Sequence, residues 1–226
     1  MGRRNTRPVA RGQAGARSRR MSVLRSLAAT LALAPALASA QGQPMPDWRG
    51  IETPPATVIW SEETPDGVLE LRDYQPHVVA EVTVRGGRTG AASTGFRRLA
   101  GYIFGGNAGA DGASEKIAMT SPVGQTPAGE GTWTIAFTMP SRWSLETLPV
   151  PNDDAVRLRQ DPGGRRLSLG FSGRWTQDGL AARAEALRGH AARRGLTPAG
   201  EASYLFYDGP MTPAFLRRNE VSIPVR

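Results

Sequence analysis

The sequence predicts an α+β fold, a distorted eight-stranded antiparallel barrel flanked by two helices. Three observations carry this. Short runs with period-2 or β-branched character recur along the chain, two segments switch to a helical period, and the order strand-strand-helix-strand-strand occurs twice in 226 residues. No strand–helix–strand spacing demands a parallel sheet, so the architecture is a pseudo-twofold pair of halves rather than a doubly wound one.

The first half begins with residues 68–74, where charged and apolar side chains alternate, and continues with the β-branched run 77–84, which stops at Gly86-Gly87. The period then changes. Phe96, Leu99, Ala100, Ile103 and Phe104 fall at i, i+3, i+4, i+7 and i+8, one face of a helix, with Thr89 or Ser93 to cap it and Gly105-Gly106-Asn107 to end it. Residues 116–123 and 132–139 read as the next two strands, each stopped by a proline. In the second half, residues 155–159 and 166–171 are strands. Thr176 caps a helix that carries Leu180, Ala184, Leu187 and Ala191 on one face and ends at Gly195. Residues 203–207 and 220–225 close the domain.

Charge divides the chain. The formal net charge is +8, yet residues 1–40 hold eight arginines and no acid, leaving residues 41–226 balanced at 20 basic and 20 acidic side chains. A neutral body has no electrostatic footprint for a phosphate backbone, so a nucleic-acid partner is not expected. The basic head precedes an Ala/Leu-rich run from Ser26 to Leu37 and the small-x-small triplet Ala38-Ser39-Ala40, the pattern of an export signal cleaved before Gln41. The apolar run is about 12 residues, short of the roughly 20 that cross a bilayer, so no permanent membrane anchor is expected. Two readings of the head stand: translation starting at Met21, or a degenerate twin-arginine signal at Arg19-Arg20. Residues 41–56 are rich in Pro and Gly and read as a flexible linker or an edge segment wrapping the domain. The destination is periplasmic or secreted. With no cysteine, the exported domain relies on its core rather than on disulfides, and thiol ligation or catalysis is excluded.

Four segments, in order over residues 57–226, resemble the SOUL haem-binding family. They are Leu69-Glu70-Leu71-Arg72-Asp73-Tyr74-x-Pro76 with Val78-Val79-Ala80-Glu81-Val82, and Tyr102-Ile103-Phe104-Gly105-Gly106-Asn107 followed by residues 115–123. The third is Trp133-x-Ile135-Ala136-Phe137-Thr138-Met139-Pro140-Ser141, and the fourth is Tyr207-Asp208-x-Pro210 with Arg217-Arg218-Asn219-Glu220-Val221. The resemblance implies haem or tetrapyrrole binding and a barrel of two pseudo-twofold halves.

Haem asks for an apolar slot, cations for its propionates and, optionally, an axial ligand. The helical stripe of Phe96, Leu99, Ala100 and Ile103 is the candidate wall, or simply the core of the first half. Arg97 and Arg98 flank it as candidate propionate partners, or as a solvated helix face. Some family members carry a histidine where this chain has Asp73, which makes His77 the candidate iron ligand, with His190, Met119, Met139, Met211 and the tyrosines behind it. Met119 alternates with Ile117 and is expected to point inward. Lys116, the single lysine of the chain, pairs either with a ligand carboxylate or with Glu115 or Glu81. The sequence thus favours an exported haem or tetrapyrrole binder without catalysis. The alternatives are an effector-binding module and a hydrolase using the same cleft. With no serine nucleophile elbow and no metal-ligand spacing, a hydrolase would depend on carboxylates such as Glu81, Glu115 or Glu220 with raised pKa.

Overall fold

A computed structural model describes residues 47–226. The leader, its alternative start and residues 41–46 lie outside the described residues. Among the described residues, no helix is long and apolar enough to cross a membrane.

The chain runs through β1 (Ala56–Thr64), β2 (Gly67–Tyr74), β3 (His77–Arg85), α1 (Arg88–Ile103), β4 (Asn107–Ala108), β5 (Val123–Pro127), β6 (Thr132–Thr138) and β7 (Val150–Pro151). It continues through β8 (Arg157–Asp161), β9 (Gly164–Ser172), α2 (Gln177–Arg193), β10 (Ser203–Phe206) and β11 (Arg218–Pro224). Nine strands form one curled antiparallel sheet, a half-barrel, in the order β1-β2-β9-β11-β10-β5-β6-β3-β8, while β4 and β7 pair separately. The ninth strand is β1, which the sequence reading did not include; it forms a hairpin with β2, Thr64 opposite Gly67. The β2 strand lies beside β9, and β8 beside β3. The first strand of each predicted half therefore pairs with the other half, which ties the two together.

Strand alternation decides what each face of this sheet does. On one face Leu69, Leu71, Leu167, Leu169, Val221 and Ile223 meet Leu180, Ala184 and Leu187 of α2. On the same face Val78, Ala80, Val82, Ile135 and Phe137 meet Leu99, Tyr102 and Ile103 of α1. Leu99 and Leu187 are fully buried, each contributing about 1.5–3 kcal/mol of apolar transfer energy. Both helices thus cover one face of the sheet, and the polar residues of the same strands point into the concavity.

The two helices start differently. Thr176 caps α2 as expected, its hydroxyl accepting from the Gly179 amide at 3.0 Å. Neither Thr89 nor Ser93 caps α1; its N-cap is Gly87, with no side-chain bond. Arg88 follows and is buried, its guanidinium 4.3 Å from the Trp175 ring centre and 5.6 Å from that of Tyr204. The buried stripe of α1 runs Arg88, Ala91, Gly95, Leu99, Tyr102 and Ile103; it shares Leu99 and Ile103 with the predicted one but is rotated from it, so Phe96 and Phe104 are exposed and Ala100 lies at its edge. Gly95 sets the approach: a Cβ there would stand 2.4 Å from Ile135 Cγ1.

Residues 116–122 are not a strand, against expectation; the ladder begins at Val123. Their backbone is held elsewhere. The Asn107 side chain donates to the Glu115 carbonyl and accepts from its amide, the Ile117 amide donates to Ile103, and the Ser121 amide donates to Glu52. A cis Ser121–Pro122 bond precedes β5. Residues 47–55 pack against the sheet. Trp48 and Ile51 exchange backbone hydrogen bonds, and the Pro55 carbonyl accepts from Gln75.

Candidate ligand-binding cavity

The concavity holds a cavity of about 440 Å³, within the 300–1,000 Å³ usual for small-molecule sites. Alternation supplies its lining. His77, Val79 and Glu81 come from β3, Thr134, Ala136 and Thr138 from β6, and Gly124 and Thr126 from β5. Ser203 and Leu205 come from β10, Arg159 and Asp161 from β8, and Arg166 from β9; Pro54, Pro122 and Pro224 add apolar surface at the margins.

The charged groups of this lining are unequally satisfied. Arg159 bonds Glu81 Oε2 at 2.9 Å and Asp161 Oδ2 at 3.1 Å. Burial alone would lower its pKa, but the two carboxylates raise it above its usual value. Arg166 touches neutral oxygens only: Nε donates to Ser222 Oγ at 3.0 Å, and Nη2 to Ser203 Oγ at 3.0 Å and the Ser222 carbonyl at 3.2 Å. Burial leaves its pKa lowered. His77 Nδ1 lies 2.8 Å from the Gln75 carbonyl. A carbonyl only accepts, so Nδ1 carries the proton, and in the neutral ring the lone pair is on Nε2.

Beyond Arg166 the concave face becomes a buried polar network. Arg72 donates to Glu220 through both terminal nitrogens, at 2.7 and 2.9 Å, and to Tyr74 Oη at 3.1 Å. Arg218 Nε and Tyr207 Oη also donate to Glu220, at 2.8 and 3.0 Å. Burial would push the Glu220 carboxyl up; the Arg72 and Arg218 guanidinia override it and pull the pKa down to about 2. A second cavity of about 640 Å³ adjoins this network, walled by Trp48, Phe171, Phe215 and Leu216.

Of the residues read from sequence as site candidates, His77 and Glu81 line the first cavity, with Tyr74 from among the tyrosines. Phe96, Arg97, Leu99, Ala100 and Ile103 are on α1, which packs on the opposite face of the sheet. Leu99 and Ile103 are core, Arg97 bonds the Ser93 carbonyl of its own helix, and Arg98 pairs with Asp153 at 3.3 Å. Lys116 is exposed on the segment before β5. Met119 is 39% exposed rather than inward, because residues 116–122 do not alternate as a strand. His190 is buried at the end of α2, beside Arg193, and Met211 is exposed. Arg166 was missed: Arg166, Ser168 and Gly170 occupy one face of β9, and in sequence such a face reads as solvated. What marks it is the register, in which Arg72, Asp73 and Tyr74 pair with Arg166, Arg165 and Gly164 across polar strand ends, and that register is invisible before folding.

Among the described residues no group of three or more His, Asp or Glu side chains is placed to hold a metal ion. In a lining that mixes polar and apolar side chains, one imidazole acceptor, a guanidinium without an ion-paired carboxylate and the apolar contacts of Val79, Ala136 and Leu205 are the groups that fit a metal carried by a macrocycle with acidic substituents.

Solved structures share this fold. An uncharacterized conserved protein from Listeria innocua superposes with a TM-score of 0.52 at 14% identity, covering 70% of this chain and 92% of that one. A hydrolase from Listeria innocua gives 0.50 at 13%, over 70% and 91%. The EcmrR C-terminal domain gives 0.51 at 11%, over 70% and 96%. At these identities the likeness extends to the fold alone. No curated protein matches the chain. The model of the SOUL heme-binding protein family, however, matches residues 51–224. With nearly the whole described domain inside that match, the chain belongs to the SOUL heme-binding protein family.

Proposed function

We propose that the protein binds haem or a related tetrapyrrole in the concave cavity and acts as an exported carrier or buffer rather than as a catalyst. The observation that carries this is His77. It lines the cavity, and its Nδ1–H is committed to the Gln75 carbonyl, the arrangement that orients a ligating imidazole and leaves Nε2 to meet a metal. Val79, Ala136 and Leu205 offer apolar contact to a planar ring. When bound, haem would supply an iron that a protein nitrogen could ligate; His77 would hold it, and Val79, Ala136 and Leu205 would seat its ring.

The carboxylates favour binding over acid–base catalysis. Glu220 is held ionised by Arg72 and Arg218, so it is not poised to exchange a proton near neutral pH, and Glu81 is committed to an ion pair with Arg159. The family supports the ligand class, and the Ser26–Leu37 run with Ala38-Ser39-Ala40 supports export.

Titration of the purified full chain with hemin tests the binding reading. A saturable shift of the Soret band near 1:1, altered in shape for His77→Ala, is expected; an unsaturable absorbance rise in the wild type contradicts it. Mass spectrometry of the exported protein, with Gln41 at the new N-terminus, tests the signal.

A further inference from the structure

Arg166 is the one cavity cation whose charge the described residues leave unmatched. Arg159, across the cavity, has two carboxylates within 3.1 Å. The remaining lining acid, Glu201, is 3.8 Å from Arg188. No carboxylate of the described residues lies within ion-pair distance of Arg166. Asp161 influences it through space and is itself bonded to Arg159 and to the Gly163 amide.

Its geometry is nevertheless tightly fixed. Ser222 Oγ holds Nε, while Ser203 Oγ and the Ser222 carbonyl hold Nη2. Ser222 is fixed in turn by the Ser168 hydroxyl at 2.8 Å. This clamps one edge of the guanidinium plane and leaves Nη1 with no hydrogen bond among the described residues, in a side chain that lines the cavity. Keeping a partly buried cation without a counter-ion costs stability, and an apolar side chain of similar volume would fit the same strand position at lower cost. A fixed fork with a free edge is the arrangement that recognises a carboxylate with little further loss of entropy.

We infer that Arg166 is the carboxylate-binding residue of the concave cavity, and that the ligand is an amphipathic acid whose carboxylate meets the free Nη1 edge. This rests on the tetrapyrrole reading, to which it adds how the acidic substituents are recognised, and it replaces Arg97 in that role. Its sign is definite: the cavity selects acids over their neutral esters at this end.

The test compares wild type with Arg166→Met and Arg166→Lys, each titrated with hemin and with the dimethyl ester of the same porphyrin. Losing one charge-assisted contact should weaken hemin roughly ten- to hundred-fold in Arg166→Met. Ester affinity should stay as in wild type, lysine should restore part of the loss, and the melting temperature of Arg166→Met should not fall. Unchanged hemin affinity in Arg166→Met, or a parallel loss for acid and ester, overturns the assignment while leaving the tetrapyrrole reading intact. If the wild type binds no porphyrin, that reading fails, and the same variants are titrated with the fluorescent acid cis-parinaric acid and its methyl ester. Arg166-dependent binding of the acid alone then upholds the carboxylate subsite, and no binding of either overturns it.

Discussion

Glu220 on β11 and Arg72 on β2 are joined across the intervening β9 by two hydrogen bonds, of 2.7 and 2.9 Å. The Glu220 side chain has no solvent exposure and that of Arg72 is 1% exposed. The register opposes Gly170 of β9 to Val68 on one side and Glu220 on the other. Arg72 stands opposite Arg166, so the pair crosses β9 diagonally. The pair therefore fixes the order of three strands as well as pairing two charges.

Removing one partner should be costly. Glu220→Gln leaves the buried Arg72 with Glu70 alone, Arg72→Met leaves the buried Glu220 with Arg218 alone, and each is expected to destabilise by about 1.5–3 kcal/mol in urea unfolding. The double variant Arg72→Met/Glu220→Leu should lose less than the two single losses added together, because neither charge is then stranded, although Arg218 still faces the site. Strict additivity would mean that the two residues do not act as a pair.

The same pair predicts an acid limb of stability. Arg72 and Arg218 hold the folded Glu220 carboxyl at about 2, below its ordinary value of 4.5. A depressed carboxyl stabilises the fold fully above the unfolded pKa, and this contribution fades as the pH falls from about 4.5 toward about 2. Urea unfolding free energies measured between pH 5 and pH 2 should decline for the wild type and decline less steeply for Glu220→Gln. Identical slopes would assign the acid sensitivity to other groups.

Two glycines of α1 make opposite predictions. Gly95→Ala drives a methyl to 2.4 Å from Ile135 Cγ1 and 2.7 Å from its Cβ. This should cost roughly 1–3 kcal/mol through displacement of the helix from β6. Gly101→Ala meets nothing within 4 Å and should stabilise by roughly 0.5–1 kcal/mol through helix propensity. Thermal melts of the two variants should move in opposite directions.

The fold was legible where local chemistry decides it. Thr176 caps α2 through its own hydroxyl, and the alternation of Leu69, Leu71, Leu167 and Leu169 already names a buried face. It was less legible where tertiary partners decide. The buried face of α1 includes Arg88 and Gly95, neither of them apolar markers, because aromatic rings from the other half surround the first and Ile135 presses on the second. Residues 116–122 have strand composition, yet the backbone of Ile117 and Ser121 is taken by Ile103 and Glu52, and that of Glu115 just before them by Asn107. The cavity was least legible. Glu81, Thr134, Thr138 and Arg166 occupy the polar positions of alternating strands, which in sequence belong to solvent. Only the curl of the sheet turns that face inward.

The central claim is that the ligand enters the concave face and not the α1 stripe. One hemin titration series measures this, comparing wild type with Ala136→Trp, which fills the cavity from β6, and Phe96→Ala, which trims the exposed edge of α1. The account predicts loss of the saturable Soret shift in Ala136→Trp, with both variants still folded, and a wild-type isotherm for Phe96→Ala. Full binding by folded Ala136→Trp together with loss in Phe96→Ala would contradict it.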